Sequence, residues 1–344
     1  MKYNKSLIII CLIYIFYGCE KSDIVKFDVS EKLEEIPLPE IELLGRSVRL
    51  TAIDTFLVVQ KDNESFIQIY STNTHSLLAE FGVKGRGPEE FIRPSLMKQT
   101  SYAEQNGSPE VYVYDFQRKT ISKINIFNAL RGNYYEYQKS ITSNTHLPAL
   151  YYIDDDIYVA EPDSKNRFVI SGSSKDQDIL IPYLPELEIS IPPSDIGIVY
   201  ASNATAVNKE RNMLVSAPSF LGELDFFDLE GNLIRVSLLE SRDKFKDELI
   251  QGYSAFNQIK YNILSLDTKG EMIYCLNLDT SVEDYSNGKY YPKLQVFSWD
   301  GKAVKEYILG NRPITDVAVD TVKNRIYAFN KKDELTPLSY YQMK

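Results

Sequence analysis

The chain has 344 residues and a formal net charge of −10, which argues against a nucleic-acid phosphate backbone as its partner, because binding one requires a basic face. That length suits one large domain or two of average size, and either would bury a sizeable core. The 25 tyrosines and 16 phenylalanines favour strands over helices.

The first predicted element is an apolar run of twelve residues, "LIIICLIYIFYG", from Leu7 to Gly18. Two lysines precede it, and it is too short for a transmembrane helix, so it predicts a signal peptide over residues 1–18. Gly18 directly before Cys19 resembles the lipobox of bacterial lipoproteins, although the two residues before the glycine depart from the usual pattern. The resemblance implies acylation of Cys19 and an anchor in the cell envelope, at the outer membrane. An ordinary secretory signal with a chance cysteine is the alternative.

Residues 19–40 are charged and end in two prolines, which predicts a lipidated tether leading into the folded domain. Removal of the signal peptide takes two lysines with it and leaves 36 basic against 48 acidic residues, a net charge of −12. An acidic body of this kind is expected to hover off an anionic membrane surface. Cys275 in "MIYCLNL" is then the last cysteine, and we expect it to be a buried strand residue without a disulfide partner.

Beyond residue 40, alternating apolar and polar residues predict hairpins made of an apolar strand, a polar turn and a second strand. The turns "DLEGN" and "SWDGK" carry the acidic-residue–glycine pair typical of tight hairpins. The predicted hairpins are Phe66–Gly82, Val111–Phe127, Leu224–Leu239 and Leu294–Leu309.

Units of this kind recur at about fifty residues, which is within the range of propeller blades. The prediction for residues 41–344 is therefore an all-β fold, a six-bladed β-propeller of four-stranded antiparallel blades. Because the last unit is short, we expect an N-terminal strand, "SVRLTAI" at 47–53, to complete it and close the ring.

One interval between units is longer than the others, and its apolar residues fall at helical spacing. Phe245, Leu249, Tyr253 and Phe256 predict a short amphipathic helix inserted near 241–260. Such a helix either packs its apolar stripe on the propeller or serves as a lid or partner-binding element.

The stretch "FGVKGRGPEEFIRP", 81–94, raises the possibility of a phosphate loop. Its spacing matches neither nucleotide-binding glycine motif, and no helix pattern follows it, so the spacing favours a chain reversal between strands. The stretch resembles the blade junction of NHL-repeat and TolB-like propellers, and the whole chain after residue 40 resembles the TolB-like propeller lipoproteins of Gram-negative bacteria. The residues that carry the junction motif are Phe81, Gly82, Gly85, Gly87, Pro88, Phe91 and Pro94.

Loops that join the outer strand of one blade to the inner strand of the next gather on one face of a propeller, around the mouth of its channel. This placement makes four charged residues of the same stretch candidate binding contacts at that mouth. They are Arg86, Glu89, Glu90 and Arg93.

Catalytic and metal-binding patterns are weak. The two histidines, His75 and His146, lie in polar turns, so a three-histidine zinc site is impossible, and a Ser-His-Asp triad would need one of them. The run Asp154–Asp156 suggests a calcium site but sits where a hairpin turn is expected. We predict no catalytic residues, no metal and no cofactor.

The function predicted from these observations is a non-enzymatic, monomeric envelope module that binds a protein or peptide partner. Two alternatives stay open. One is a hydrolase or lactonase of the gluconolactonase type with a metal in the pore, and the other is a glycan- or solute-binding lipoprotein. The glycan alternative requires exposed tyrosines or an exposed Trp299 beside a groove.

Overall fold

The computed structural model describes residues 22–39, 41, 48–61, 65–87, 90–133, 137–140, 150–154, 157–160, 166–172, 177–183, 200, 203–241, 247, 259–330 and 336–344. Within these ranges the chain forms 27 strands and two short helices, Ile126–Ala129 and Val282–Asn287. The signal peptide and Cys19 lie outside the described residues. Of the helix predicted near 241–260, only residues 241, 247, 259 and 260 are described, so that helix stays a prediction.

The strands assemble into six sheets of four or five strands. Three short strands come first in the chain: β1 (Ser22–Ile24), β2 (Ser30–Lys32) and β3 (Glu35–Pro37). Sheet 1 contains β4 (Arg49–Ile53), β5 (Phe56–Gln60), β6 (Ser65–Ser71), β7 (Leu77–Lys84) and β8 (Glu90–Phe91). Sheet 2 contains β9 (Pro94–Tyr102), β10 (Pro109–Asp115), β11 (Thr120–Asn125) and β12 (Tyr137–Ser140). Sheet 3 contains β13 (Leu150–Asp154), β14 (Ile157–Ala160), β15 (Asn166–Gly172) and β16 (Ile179–Pro182).

The remaining three sheets each take their last strand from the N-terminus. Sheet 4 contains β17 (Asn203–Asn208), β18 (Met213–Pro218), β19 (Glu223–Asp228) and β20 (Leu233–Leu238), with β1 at its edge. Sheet 5 contains β21 (Lys260–Lys269), β22 (Met272–Ser281), β23 (Lys293–Ser298) and β24 (Ala303–Ile308), with β2 at its edge. Sheet 6 contains β25 (Ile314–Asp320), β26 (Arg325–Asn330) and β27 (Leu338–Gln342), with β3 at its edge.

The first long strands of the sheets surround a central channel. Strands β4, β9, β13, β17, β21 and β25 contact one another in that order, and β25 contacts β4. A cluster of buried apolar side chains also lies between each pair of neighbouring sheets. Radial packing of this kind covers the faces of the sheets, and it makes the fold an all-β propeller.

The four predicted hairpins are confirmed. They correspond to the antiparallel pairs β6–β7, β10–β11, β19–β20 and β23–β24. Gly231 and Gly301 occupy the predicted tight turns with φ of 91° and 74°, a backbone conformation that side chains other than glycine rarely adopt.

The prediction of which N-terminal segment completes the last unit is wrong. The segment "SVRLTAI" supplies β4, which is the first strand of sheet 1 and lines the channel. Sheet 6 is completed instead by β3, which pairs antiparallel with β27 through Ile36 and Tyr340. An N-terminal strand therefore does complete the C-terminal sheet, but it comes from a segment that the sequence assigned to the tether.

The described part of the predicted tether, 22–39, is built into the propeller. Strands β1 and β2 lie parallel to β20 and β24, and the side chains of Leu33, Leu38 and Ile41 are buried between sheets. We call residues 22–41 the N-terminal strap, because they run along the outer edges of sheets 4, 5 and 6 in turn. The prediction of a free tether fails here because the segment pairs with sheet edges and because Leu33 and Leu38, five positions apart, reach separate inter-sheet clusters.

Each described helix is shorter than two turns and begins at a side-chain cap. Asn125 and Ser281 accept hydrogen bonds from backbone N–H groups three residues later. No helix in the described part of the chain has the length and apolar character needed to cross a bilayer.

Candidate functional site

The glycine-rich stretch joins sheet 1 to sheet 2, as its pattern indicates. It leaves β7, forms the short strand β8 and enters β9, the channel-lining strand of sheet 2. Phe81 and Phe91 are buried in the cluster between these two sheets. Pro94 is also buried, and it opens β9. Pro88 and Glu89 lie outside the described residues.

The polar groups of this loop bind other groups of the protein. The carboxylate of Glu90 accepts a hydrogen bond from the backbone N–H of Gly87 at 2.6 Å. The guanidinium of Arg118 donates to the carbonyl oxygens of the same two residues at 2.8 and 2.6 Å. Asp115 accepts the backbone N–H of Ile92 at 2.7 Å. The amide of Gly87 is thus committed to a side chain of the loop itself, and the loop serves as a blade junction.

Among the described glycines of this junction, Gly82 is the one with a positive φ. Its φ is 82°, and a Cβ there would lie 3.1 Å from two ring carbons of Phe91. We expect Gly82→Ala to lower the free energy of unfolding by about 2–4 kcal/mol, because backbone strain and overpacking add. Gly107 is the matched control, since its φ is 65° but a Cβ would meet nothing within 4 Å, and strain alone costs about 1–2 kcal/mol. Urea unfolding measures both, and equal costs would contradict close packing of Phe91 on Gly82.

Of the four charged candidates, Arg86 and Arg93 are exposed and Glu90 is half-buried. The guanidinium of Arg93 lies over the ring of Phe116, 5.5 Å from its centroid. None of these three residues is among those that line the two cavities described below. They lie at the end of the channel where the inner strands begin, and their role as binding contacts stays a prediction.

The central channel contains a cavity of about 380 Å³, lined by the inner strands of all six sheets. At its wall, the ammonium group of Lys98 lies 2.6 Å from the carboxylate of Asp316 and donates to the carbonyl oxygen of Leu50 at 2.7 Å. The same carboxylate accepts the N–H of Leu50 at 2.7 Å and the hydroxyl of Ser265 at 2.8 Å. One acid therefore connects sheets 6, 1, 2 and 5 across the channel.

A second set of polar contacts repeats this arrangement. The carboxylate of Asp267 accepts the N–H of Val319 at 2.8 Å, and Lys269 donates to the carbonyl oxygen of Ala52 at 2.6 Å. Gln99 accepts the N–H of Tyr152 at 3.1 Å and so links sheets 2 and 3. These groups fix neighbouring sheets to one another, which makes the channel wall a rigid frame.

The channel opens into a wider cavity of about 1160 Å³ where the inner strands end. Residues from all six sheets line it, most of them on strands and the others mainly in the turns that follow β4, β9, β17, β21 and β25. We call this cavity the turn-side mouth. Tyr102 and Val322 stand at it with exposed fractions of 57% and 56%. Partial burial and the carboxylate of Asp54 raise the pKa of Tyr102 above its ordinary value. A tyrosine phenol is neutral at pH 7 even without this shift, and it can donate a hydrogen bond.

Charged groups of both signs surround these apolar side chains. The acids that line the turn-side mouth are Asp54, Glu104, Glu110, Glu210 and Asp320, and the lysines are Lys123, Lys209 and Lys269. Glu110 accepts the hydroxyl of Ser101 at 2.9 Å, and Lys269 is held as described above. The turn-side mouth is therefore a polar funnel with a slight excess of negative charge.

The residues considered for catalysis and metal binding have other roles or lie outside the described part. His75 lies in the turn after β6, 3.4 Å from both Arg325 and Tyr327. His146 and the side chains of 154–156 are not described. Burial raises the pKa of the Cys275 thiol, so it is not a thiolate at neutral pH. Among the described residues, no group of three or more histidines, cysteines or acids is arranged to hold a metal ion.

The two open alternatives gain no support from these positions. Trp299, the single tryptophan, is 2% exposed and packs in the cluster between sheets 4 and 5. It therefore offers no stacking face to a glycan. The turn-side mouth itself has no sequence motif, because residues from six separate sheets line it, and the exposed side chains of Tyr102 and Val322 mark it.

Comparison with known proteins identifies the fold and not a family. The chain is similar to a member of the DUF4221 family from Bacteroides vulgatus ATCC 8482, with 13% identity over 94% of this chain and 99% of that one, and a TM-score of 0.57. It is also similar to a protein from Bacteroides fragilis NCTC 9343 whose name describes it as exported, with 12% identity, coverage of 92% and 99%, and a TM-score of 0.51. The β-propeller domain of Cps50 (Swd1) from Myceliophteria thermophila matches with 10% identity, coverage of 90% and 100%, and a TM-score of 0.46. No protein-family model and no curated protein matches the chain.

Proposed function

We propose that the chain is a lipid-anchored β-propeller of the bacterial cell envelope, at the outer membrane, that binds a segment of a protein or peptide partner without catalysing a reaction. The six sheets act as the six blades of one TolB-like or NHL-like ring. The ring of contacts between the inner strands and the cluster shared by each pair of sheets support this blade assignment.

The observation that carries the proposed binding function is the turn-side mouth. Its volume of about 1160 Å³ exceeds the roughly 300–1,000 Å³ typical of small-molecule pockets, so it suits a chain segment better than a small solute. Exposed tyrosine at a rim with polar neighbours is a common feature of protein interfaces. Tyr102 and Val322 provide apolar contact, while the surrounding carboxylates and lysines fix the orientation of the bound segment.

The channel wall supports a scaffold without catalysis. Asp316 and Asp267 accept hydrogen bonds from backbone N–H groups of neighbouring sheets, so each carboxylate is already engaged. A hydrolase with a pore metal needs carboxylates that are free to bind the ion. The envelope location is supported by the N-terminal signature and by the similar protein from Bacteroides fragilis, whose name describes it as exported.

We expect a photo-crosslinking amino acid at position 102 to capture a partner in native membranes, because the turn-side mouth surrounds that side chain. Position 291 is the matched control, since Tyr291 is also an exposed tyrosine, 71% accessible, and lies outside the turn-side mouth. The measurement is the crosslinked band, identified by mass spectrometry, for probes at 102, 291 and 86.

The result expected is one dominant adduct at position 102 that is absent at 291. An adduct at 86 and not at 102 would move binding to the loop that contains Arg86 and Arg93. Equal adducts at 102 and 291, or none at any position, would contradict a binding function of the turn-side mouth.

A further inference from the structure

The N-terminal strap begins at the outer edge of sheet 4. Strand β1 lies parallel to β20, with Ser22 beside Val236 and Ile24 beside Leu238. The backbone N–H of Val25 continues the pairing to the carbonyl oxygen of Leu238 at 2.8 Å. The chain is thus fixed to the propeller from its first described residue onward.

The strap is held by packing as well as by pairing. The ring of Phe27 meets the ring of Phe297 edge to face, with centroids 5.3 Å apart, and Val25 packs on the cluster between sheets 4 and 5. Further along, Leu33 is buried against sheets 5 and 6. A segment with these contacts cannot peel away to lengthen the connection without exposing apolar surface.

Only three residues, Cys19 to Lys21, separate the predicted lipid from this fixed point. A fully extended chain spans at most about 3.3–3.6 Å per residue, so the lipid-bearing residue lies within about 10 Å of the edge of sheet 4. That reach is far shorter than the width of a propeller. A lipid on Cys19 therefore determines which side of the propeller faces the membrane.

The same edge presents apolar side chains. Ile24 on β1 is 52% exposed, and Ile234, which lies two residues before Val236 on β20, is 53% exposed. Because the two strands are parallel, Ile234 lies toward the end of the edge from which the chain continues to Cys19. We call Ile24 and Ile234 with their strands the anchor rim.

We propose that the anchor rim rests against the phospholipid bilayer, so that the propeller stands on its side. The channel axis then runs along the membrane plane, and the turn-side mouth opens parallel to the surface where an envelope partner can reach it. This inference rests on the acylation of Cys19 in the proposed function. The net charge of −12 opposes contact with anionic lipid, and zwitterionic lipid removes that repulsion.

The test uses the full acylated protein in phosphatidylcholine vesicles that carry a headgroup spin label, with a fluorophore on Ile234→Cys. The matched control is Leu78→Cys on β7 of sheet 1, which is 43% exposed and equally apolar. Sheets 1 and 4 are not neighbours in the ring of inner strands. Cys275 is fully buried, so it does not compete for the label.

We expect quenching at position 234 to exceed that at position 78 by about threefold or more, since the connection of about 10 Å holds only one rim near the spin labels. Inserting twenty Gly/Ser residues between Lys21 and Ser22 gives a flexible span of about 25 Å and should abolish the difference. Equal quenching at both positions in an acylated, vesicle-bound protein would overturn the side-on orientation and leave the anchor intact. A mass of the mature N-terminus without acyl chains would instead overturn the anchor, and with it the orientation.

Discussion

Replacing both Leu33 and Leu38 with alanine is expected to lower the free energy of unfolding by about 4–8 kcal/mol. Each side chain is buried, Leu33 between sheets 5 and 6 and Leu38 between sheets 6 and 1. A buried Leu→Ala change costs about 2–5 kcal/mol, and costs at separate sites add. A loss of this size is comparable to the whole stability of many domains, which is about 5–15 kcal/mol.

The measurement is urea unfolding of a chain that begins at residue 20, followed by circular dichroism. Val29→Ala and Ile36→Ala are matched controls in the same strap, because both side chains are exposed, at 50% and 39%. Each should change the free energy of unfolding by no more than about 0.5 kcal/mol. If the free energy of unfolding of the double-leucine variant falls by less than about 1 kcal/mol, the segment behaves as the free tether that the sequence predicts.

The propeller could be predicted because the strands of each hairpin are close together in the sequence. In each confirmed hairpin, the two strands are joined by a turn of a few residues, and alternation shows which face of each strand is buried. Asp228 accepts hydrogen bonds from the backbone N–H groups of Glu230 and Asn232, and Gly231 provides the positive φ. The five consecutive residues 228–232 therefore determine this turn.

The strap was not predictable because its partners are distant in the chain. Ser22 lies beside Val236, and Glu31 lies beside Tyr307, so neither strand has a turn that would reveal its pairing. Each of the three strands is only three residues long, too short for a period to be recognised. The surrounding acids and lysines resemble a solvated linker, and the buried Leu33, Leu38 and Ile41 distinguish the segment from one.

The candidate site could not be predicted for the same reason, because the residues that form it are distant in sequence. The four charged residues of the junction were found because they lie in one stretch of sequence. The described ones, Arg86, Glu90 and Arg93, line neither of the two cavities, and the carboxylate of Glu90 binds the loop itself. The turn-side mouth draws on turns that follow β4, β9, β17, β21 and β25, which lie far apart in sequence. Only the closed ring brings them together, and the order of sheets around that ring is not visible in any one unit.

Asp316→Ala is expected to cost about 2–4 kcal/mol, because it leaves the N–H of Leu50 without its acceptor and the ammonium group of Lys98 without its carboxylate. The lysine is 18% exposed and keeps two carbonyl acceptors, which places the cost below that of a fully buried pair. Asp316→Asn retains an acceptor of the same shape and should cost less, about 1–2 kcal/mol. Urea unfolding of Asp316→Ala, of Lys98→Met and of the variant that carries both substitutions gives the coupling energy of the pair through a double-mutant cycle, and Asp316→Asn is measured beside them.

The same variants separate a structural carboxylate from one that binds a pore metal. If Asp316 ties the sheets together, folded Asp316→Asn keeps the crosslink at position 102, and the loss in Asp316→Ala appears as lower stability. A carboxylate held for a metal behaves in the opposite way, since its removal relieves the repulsion and desolvation of an unused charge and leaves stability equal or higher. If Asp316→Ala has a free energy of unfolding equal to or above that of the unchanged chain, the structural role of Asp316 is contradicted. The result would favour the pore hydrolase, in which the carboxylate lines the channel to bind a metal ion.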